Sequence, residues 1–589
     1  MQYPACHLYI KVMQAIKSKH KRVIILVILL LVVATVIYIR VQRTKQPGPV
    51  TKSESPIDIT PLIINKLQQL VKDGSDGLYH LSIEQLKPDI SSSQVNIMKV
   101  KIVPDSAVLQ KLDALQKAPD DVFTISFDSL HITGVNVADF IHTKNISIDT
   151  ILVTTPNIQV AHTDRPYNAA ARAKDSSLTL YQKLTKQFTS IAINSIVVKE
   201  GTLTTINLSQ KKKTIRLKGI EIHVNDLKID SLTQYDKDRF LFSKNAAFSC
   251  KDYVASTADS LYIFKVGSFA VAADKHTLIA KEVALQPRGD KETFEKKLKH
   301  RSDMFTIRFP EIICRNLNWW ALLNSQRLYA EEVVVRNGSI KDYLNRALPS
   351  GPKGRKDNFP QQLLMHIASK IEIQKLRVEG LDVSYEEYNP HSDKAGKLTF
   401  NNIDGTIENI TNIPTQMKTH PLTICTAEGL FMNKVPIRAR FEFNLAKLHS
   451  GAFSTYMHIG GFANTLVNPI AEPMGMFTLK SGNIKEATVK VTGDNDNAAT
   501  NITMLYNDLK IFPLKNDDGK GYLKKKGLVG FFANTFMIKD ANPTGNQTPR
   551  SPEVTTPRGD PGSFFNFLWK ATLTGIAKTI GIPKQFASQ

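Results

Sequence analysis

Val435 to Leu445 reads VPIRARFEFNL. Val435, Ile437, Ala439, Phe441, Phe443 and Leu445 alternate without a break with Pro436, Arg438, Arg440, Glu442 and Asn444. A side-chain period of two is that of a β-strand with one apolar and one wet face. Shorter stretches of the same kind occur at Phe123/Ile125/Phe127, Ile191/Ile193, Ile371/Ile373 and Ile502/Met504/Tyr506. Helical periodicity is scarce between them, so the chain is mainly β.

The strands recur. Asp121 to Phe127 (DVFTISF) and Asp303 to Phe309 (DMFTIRF) agree at five of seven positions, a shift of 182. The same shift lays Leu130 on Ile312, Ile151 on Val333 and Ile158 on Ile340. Ile191, Ile193, Ile196 and Val198 fall on Ile371, Ile373, Leu376 and Val378 at a shift of 180, and Ile215, Leu217 and Ile220 on Leu398, Phe400 and Ile403 at 183. Four matches in one order mean two tandem units. Apolar positions change parity after Phe127 and after Ile373, which calls for a bulge or bend in a curving sheet.

Composition limits the rest. The chain has 589 residues, 42% of them hydrophobic and 22% charged, with a formal net charge of +22. That excludes a wholly disordered or polytopic membrane protein. Val23 to Ile39 is an apolar run flanked by Lys19, Lys21 and Arg22 before it and Arg40 after it, about 25 Å long as a helix. It lacks a small-x-small cleavage signal, and the preceding segment is the more basic. The expectation is therefore an uncleaved single-pass anchor with its N-terminus in the cytoplasm.

The expected organisation is a basic segment 1–22, a transmembrane helix 23–41 and a stalk 42–57, then β units 58–300 and 301–540. A Pro-rich linker 541–562 and an amphipathic helix 563–582 follow. Pro61 to Val71 reads as a short helix. In the last segment Asn566, Lys570, Thr574 and Lys578 form a polar stripe opposite Phe565, Leu568, Trp569, Ile576 and Ile580. Packing on the sheet and contact with a membrane are both open for it. Phe565, Leu568, Trp569 and Lys570 are the membrane-interface candidates.

No chemistry stands out. The chain has no GxSxG elbow, P-loop or paired-histidine metal motif, and its four cysteines have no CxxC spacing. Asp494-Asn495-Asp496-Asn497 reads as a hairpin turn, because Ala498 and Ala499 follow where a calcium loop needs more oxygen ligands. No enzyme activity, cofactor or metal is expected. The basic runs Lys211 to Lys213 and Lys524 to Lys526 lack interleaved aromatics, so the expected partner of the charge is an anionic membrane surface and not nucleic acid.

A long sheet with one apolar face must cover that face with a second layer or with an apolar ligand. Exposing a lipid chain to water costs about 0.8 kcal/mol per CH₂, on the order of 12 kcal/mol for sixteen carbons. An apolar trough would cancel most of that cost. By parity, the candidate lining residues are Phe123, Ile125, Phe127, Phe305, Ile307, Phe309, Ile371, Ile373, Ile437, Phe441 and Phe443.

Between Ile371 and Leu514 the chain resembles the AsmA-like family of the Gram-negative envelope, the relatives of AsmA and TamB. The matching stretches are Val383-Ser384-Tyr385-Glu386, Gly396 to Phe400, Gly405 to Asn412, Asn468 to Pro473, Lys480-Ser481-Gly482 and Tyr506 to Lys510. Thr500 departs from the pattern where a glycine is expected. The resemblance implies an elongated, curved antiparallel sheet forming a taco-like groove. It also implies an inner-membrane anchor with the bulk of the chain in the periplasm, and a part in phospholipid movement and outer-membrane lipid homeostasis. Expected partners are membrane phospholipids, the inner membrane, and outer-membrane or peptidoglycan-associated proteins. The alternative is a structural or assembly factor for outer-membrane or secretion proteins that pairs through a sheet edge.

Overall fold

The computed structural model describes residues 60–581, apart from internal stretches of which the longest are 169–188 and 526–537. The expected anchor at 23–41 lies outside the described residues. No described helix is long and apolar enough to cross a membrane.

The described chain builds one large curved sheet of 23 strands. The first eight are β1 (Tyr79–Asp89), β2 (Gln94–Pro104), β3 (Asp121–Thr133), β4 (Asn145–Thr154), β5 (Asn157–His162), β6 (Ser190–Asn207), β7 (Lys213–Ile229) and β8 (Ser243–Ser256). The next eight repeat them: β9 (Tyr262–Ala272), β10 (Thr277–Pro287), β11 (Met304–Arg315), β12 (Arg327–Arg336), β13 (Ser339–Asn345), β14 (Lys370–Asn389), β15 (Lys394–Thr411) and β16 (Leu422–Phe431). The tail comprises β17 (Val435–Asn444), β18 (Phe453–Ile459), β19 (Phe462–Ala463), β20 (Phe477–Gly493), β21 (Asn497–Asn516), β22 (Leu523–Lys525) and β23 (Glu553–Pro557). Strands neighbour one another in chain order almost throughout. The turn Asp494 to Asn497 joins β20 to β21, Asp494 accepting from the N–H groups of Asp496 and Asn497.

The sheet is mixed, which corrects the antiparallel expectation. β4 and β5 are two halves of one broken strand, each antiparallel to β3 and parallel to β6. β12 and β13 stand in the same relation to β11 and β14. A parallel pair needs a crossover of a dozen or more residues. Residues 163–189 and 346–369 supply it, the second carrying the helix Pro360–Met365.

The repeat is carried by backbone conformation as well as by side chains. Left-handed residues coincide at Ser93/His276, Lys99/Glu282, Gly134/Asn316, Thr155/Asn337, Glu200/Gly380, Gly219/Asn402 and Asp226/Asn409. Most are not glycine, and a left-handed L-residue costs about 1–2 kcal/mol, so their recurrence marks required bends. At the Thr155 and Asn337 positions the strand breaks in two. Near the Asp226 and Asn409 positions the ladders skip a residue pair, and the apolar side chains change parity while staying on one face. The units begin earlier than the sequence matches show. Tyr79 and Tyr262 occupy one position, and their hydroxyls accept from the N–H groups of Phe123 (3.1 Å) and Phe305 (3.2 Å).

Among the described residues seven helices accompany the sheet: α1 (Thr60–Gly74), α2 (Ser106–Ala114), α3 (Lys291–Glu295), α4 (Pro360–Met365), α5 (Pro414–Thr419), α6 (Asn468–Gly475) and α7 (Phe564–Ile580). Helix α1 buries Ile63, Leu67 and Val71 at the four-residue spacing of one helix face. Residues 541–559, within the stretch whose composition reads as a linker, pack against the sheet. Asn542, almost fully buried, donates to the carbonyls of Met504 (2.6 Å) and Arg550 (3.1 Å), and β23 pairs with β21. Here prolines end short extended pieces that tertiary contacts hold in place. Cys250, Cys314 and Cys425 are free thiols, raised by burial to about 11, 12 and 11.

The polar face of the second unit carries a cross-strand ladder of charge. Arg336 reaches Glu379 (2.8 Å) and Glu311 (3.0 Å), and Arg377 reaches Glu379 (3.1 Å) and Glu332 (3.6 Å). Such exposed pairs contribute little stability each, but they keep this face wet. Tyr262→Phe should lower stability by about 1–2 kcal/mol, because it strips the Phe305 N–H of its acceptor. Tyr79→Phe should cost a similar amount, both read as shifts of the urea unfolding midpoint.

Candidate functional site

Paired residues of a ladder share a face, so the register traces one row of side chains across the sheet. In the first unit the row runs Leu81, Ile102, Ile125, Ile158, Leu203, Leu217. In the second it runs Ala255, Phe264, Leu285, Ile307, Ile340, Val383, Phe400, Phe431, Val435. Every member is apolar. The face that alternation indicates is therefore continuous over nine strands.

What covers this row differs along its length. Leu81, Ile102 and Ile125 are buried in a cluster with Ile63, Leu67 and Val71 of α1 and, at its margin, Val108, Leu109 and Leu112 of α2. Phe431 and Val435 are buried with Ile470 of α6, with Met474 and Trp569 at the edge. Beyond them Phe359, Phe443, Phe453, Phe564 and Phe567 form an aromatic knot beneath α7, with Phe564 5.0 Å from Phe453 and 5.3 Å from Phe443. Between these covers lies a stretch built differently. The cluster of Leu217, Ile220, Cys250, Tyr253, Ala255, Val266, Ala280 and Val283 consists of strand residues alone. On the row itself Phe264, Leu285, Ile307, Ile340, Val383 and Phe400 are all partly exposed. Leu285, Ile307, Ile340 and Val383 belong to none of the buried clusters. Phe400 packs beside Ile470 and Met474 of α6 and Trp569 of α7, so the five positions Phe264, Leu285, Ile307, Ile340 and Val383 form an apolar window outside the clusters that contain helix residues.

The expected lining residues divide accordingly. Phe305, Ile307 and Phe309 face the window from β11, Ile307 on the row and the other two beside it. Phe309 lies where a Cβ at Gly338 would come within 2.5 Å of its ring, so the glycine makes room for it. Phe123 and Ile125 are buried beneath α1, with Phe127 partly buried beside them. Ile371 is buried, and Ile373 packs on a cluster closed by Leu317, Trp319 and Leu322. Ile437 lies in the α6 cluster. Phe441 and Phe443 lie beneath α7, so probing them tests the cover and not the window. Parity fixes the apolar face of each strand taken by itself. It carried no signal for Phe264, Leu285, Ile340, Val383 or Phe400, whose shared row exists only through the register.

Helix α7 packs on the sheet. It turns Phe564, Phe567, Leu568, Ala571 and Gly575 inward, a Cβ at Gly575 falling 2.7 Å from Ile502. Of the membrane-interface candidates, Leu568 is buried and Trp569 and Lys570 are half-buried, whereas Phe565 is 60% exposed.

The row beside the window runs Phe305, Asp342, Tyr385, Leu398, and it is charged. Asp303 precedes Phe305 by two residues and Glu387 follows Tyr385 by two, which places three carboxyls on one face. Glu387 accepts from the Tyr385 hydroxyl (2.5 Å) and lies 3.5 Å from Arg346. Asp342 Oδ1 is buried without a hydrogen-bond partner. Burial first, then the neighbouring carboxylates, pushes Asp303 and Asp342 up. Burial also raises Glu387, against the Tyr385 hydroxyl and the two guanidiniums of Arg346 and Arg301. A cavity of about 310 Å³ lies elsewhere, among Glu221, His223, Ser249, Lys275 and Thr277. It is open and its lining is mostly apolar, with Phe248, Val271 and Ile279 among the residues, and no residue of the window lines it. Among the described residues no group of His, Cys, Asp or Glu is placed to hold a metal ion.

No protein-family model matches the chain, and no curated protein matches it.

The carboxyl row has a consequence for pH. A carboxyl that keeps its proton when folded and releases it when unfolded leaves the fold fully stable below the unfolded value, 3.8. That stability is lost as pH rises through the folded value, about 8 for Asp342. The gain in stability of Asp342→Asn over the parent should therefore be larger at pH 8.5 than at pH 5, by more than about 1 kcal/mol. Urea midpoints at the two pH values measure this.

Proposed function

We propose that this is an envelope lipid-binding protein, held in the inner membrane by residues 23–41 with its sheet in the periplasm, that shelters lipid acyl chains on the apolar window. The observation that carries the reading is the change of cover along one apolar row. The row lies in helix-bearing clusters toward both ends and is partly exposed at the five positions from Phe264 to Val383 between them. Apolar surface left in water costs about 25 cal/mol per Å². A protein that covers both ends of the face with helices and not this stretch leaves a strip whose natural complement is an apolar molecule.

The chemistry is that of binding. Side chains on the window are Phe, Leu, Ile and Val, which offer area without direction, so they fit flexible hydrocarbon better than a ligand needing oriented hydrogen bonds. The charged row about 7 Å along the strands provides polar surface where a headgroup would leave the hydrocarbon. The +22 charge of the chain favours approach to anionic bilayers. A role in outer-membrane lipid homeostasis follows from such binding together with the resemblance to the AsmA-like proteins.

Val383→Asp puts a charge into the window, and Ser384→Asp puts the same charge on the opposite face of the same strand. Lipid extracted with the purified full chain and quantified by mass spectrometry should fall at least fivefold for Val383→Asp and stay unchanged for Ser384→Asp. Equal lipid in both folded variants would count against the reading.

A further inference from the structure

Resting on that reading, we infer that the window is a bounded berth for one lipid molecule, entered from its open side, and not a stretch of a conduit running the length of the sheet. Two observations carry this. The first is closure. A conduit needs an apolar path continuous from end to end, but Leu81, Ile102 and Ile125 lie beneath α1, and Phe431 and Val435 lie against Ile470 of α6. A lipid moving along the row would meet helix side chains in both directions.

The second is length. The window spans five neighbouring strands, from Phe264 on β9 to Val383 on β14, with β13 taking the place of its broken partner β12 on this row. Four interstrand steps of ~4.8 Å make about 19 Å. The tails of one lipid occupy half of a bilayer core about 30 Å thick, or about 15 Å. One set of tails fits along the window, and the roughly 4 Å remaining is too short for another. Lipid enters and leaves across the partly exposed face of the window. The protein then carries lipid by loading and unloading.

Native mass spectrometry of the full chain in mild detergent tests this when the parent is compared with Ile307→Asp and with Thr306→Asp, which lies on the opposite face. The parent and Thr306→Asp should each carry one lipid more than Ile307→Asp. A difference of two or more overturns the single berth and leaves lipid binding standing, whereas no difference in folded Ile307→Asp removes both. A measurement on the unaltered protein covers the case in which Ile307→Asp does not fold. A phospholipid with a diazirine in its tail, photo-crosslinked and mapped by peptide, should label the strands carrying Phe264 to Val383. Labelling of Leu81, Ile102, Phe431 or Val435 at comparable yield would show a conduit, and labelling nowhere on the sheet would remove lipid binding altogether.

Discussion

The architecture depends on one requirement: a sheet with a single apolar face must keep that face from water over its whole length. The chain meets it piecemeal. Helix α1 with α2 covers the first strands, the segment around Trp319 covers the lower half of the middle ones, and α6 and α7 cover the last. Each cover is short and each belongs to a local cluster, so the molecule has a chain of small cores and no single large one. The window is where covering elements run out while the apolar row continues.

Curvature comes from the backbone. The left-handed residues shared by the two units recur at corresponding strand positions, although their side chains differ: Lys99 against Glu282, Thr155 against Asn337, Glu200 against Gly380. Each bend re-aims the side chains beyond it, and the apolar pattern changes parity to match. Packing can therefore stay on one face while the strand turns. Seven coincident bends define the repeat more firmly than side-chain identity does, because the constraint acts on φ and several residue types satisfy it at similar cost.

The two units have diverged where it matters for the window. On the row beside it the first unit has Val160 and Thr205, and the second has Asp342 and Tyr385. Likewise His162 and Asn207 of the first correspond to Leu344 and Glu387 of the second. In the first unit Asp121 holds His162 at 2.7 Å and raises it to about 9, so the pair is charge-balanced. In the second, Asp303 stands at the same position without that partner and keeps company with two further acids. One unit has its first strands covered by α1 and α2, while the other bears carboxyls whose burial is unfavourable for the fold alone. On the proposed reading, that asymmetry puts the lipid-binding part of the sheet in the second unit.

Much of this was legible from sequence, and the limits have a physical pattern. Alternation at Val435 to Leu445 showed the strands because side-chain period is a local property of the backbone. The helix over Thr60–Gly74 was readable from Pro61 to Val71 for the same reason, and the tandem order followed from matches at near-constant spacing. Three features escaped: the parallel pairing of β4 and β5 with β6, the packing of 541–559, and the division of the apolar face into covered and partly exposed parts. Proline content does not reveal that Asn542 finds the carbonyl of Met504, and parity does not reveal that Phe441 lies beneath α7 while Ile307 belongs to none of the buried clusters. The sequence by itself determined which side of each strand is oily and in what order the strands come. Only the tertiary structure decided which parts of that side are closed, because closure depends on contacts between residues far apart in the chain, and these leave no periodic trace.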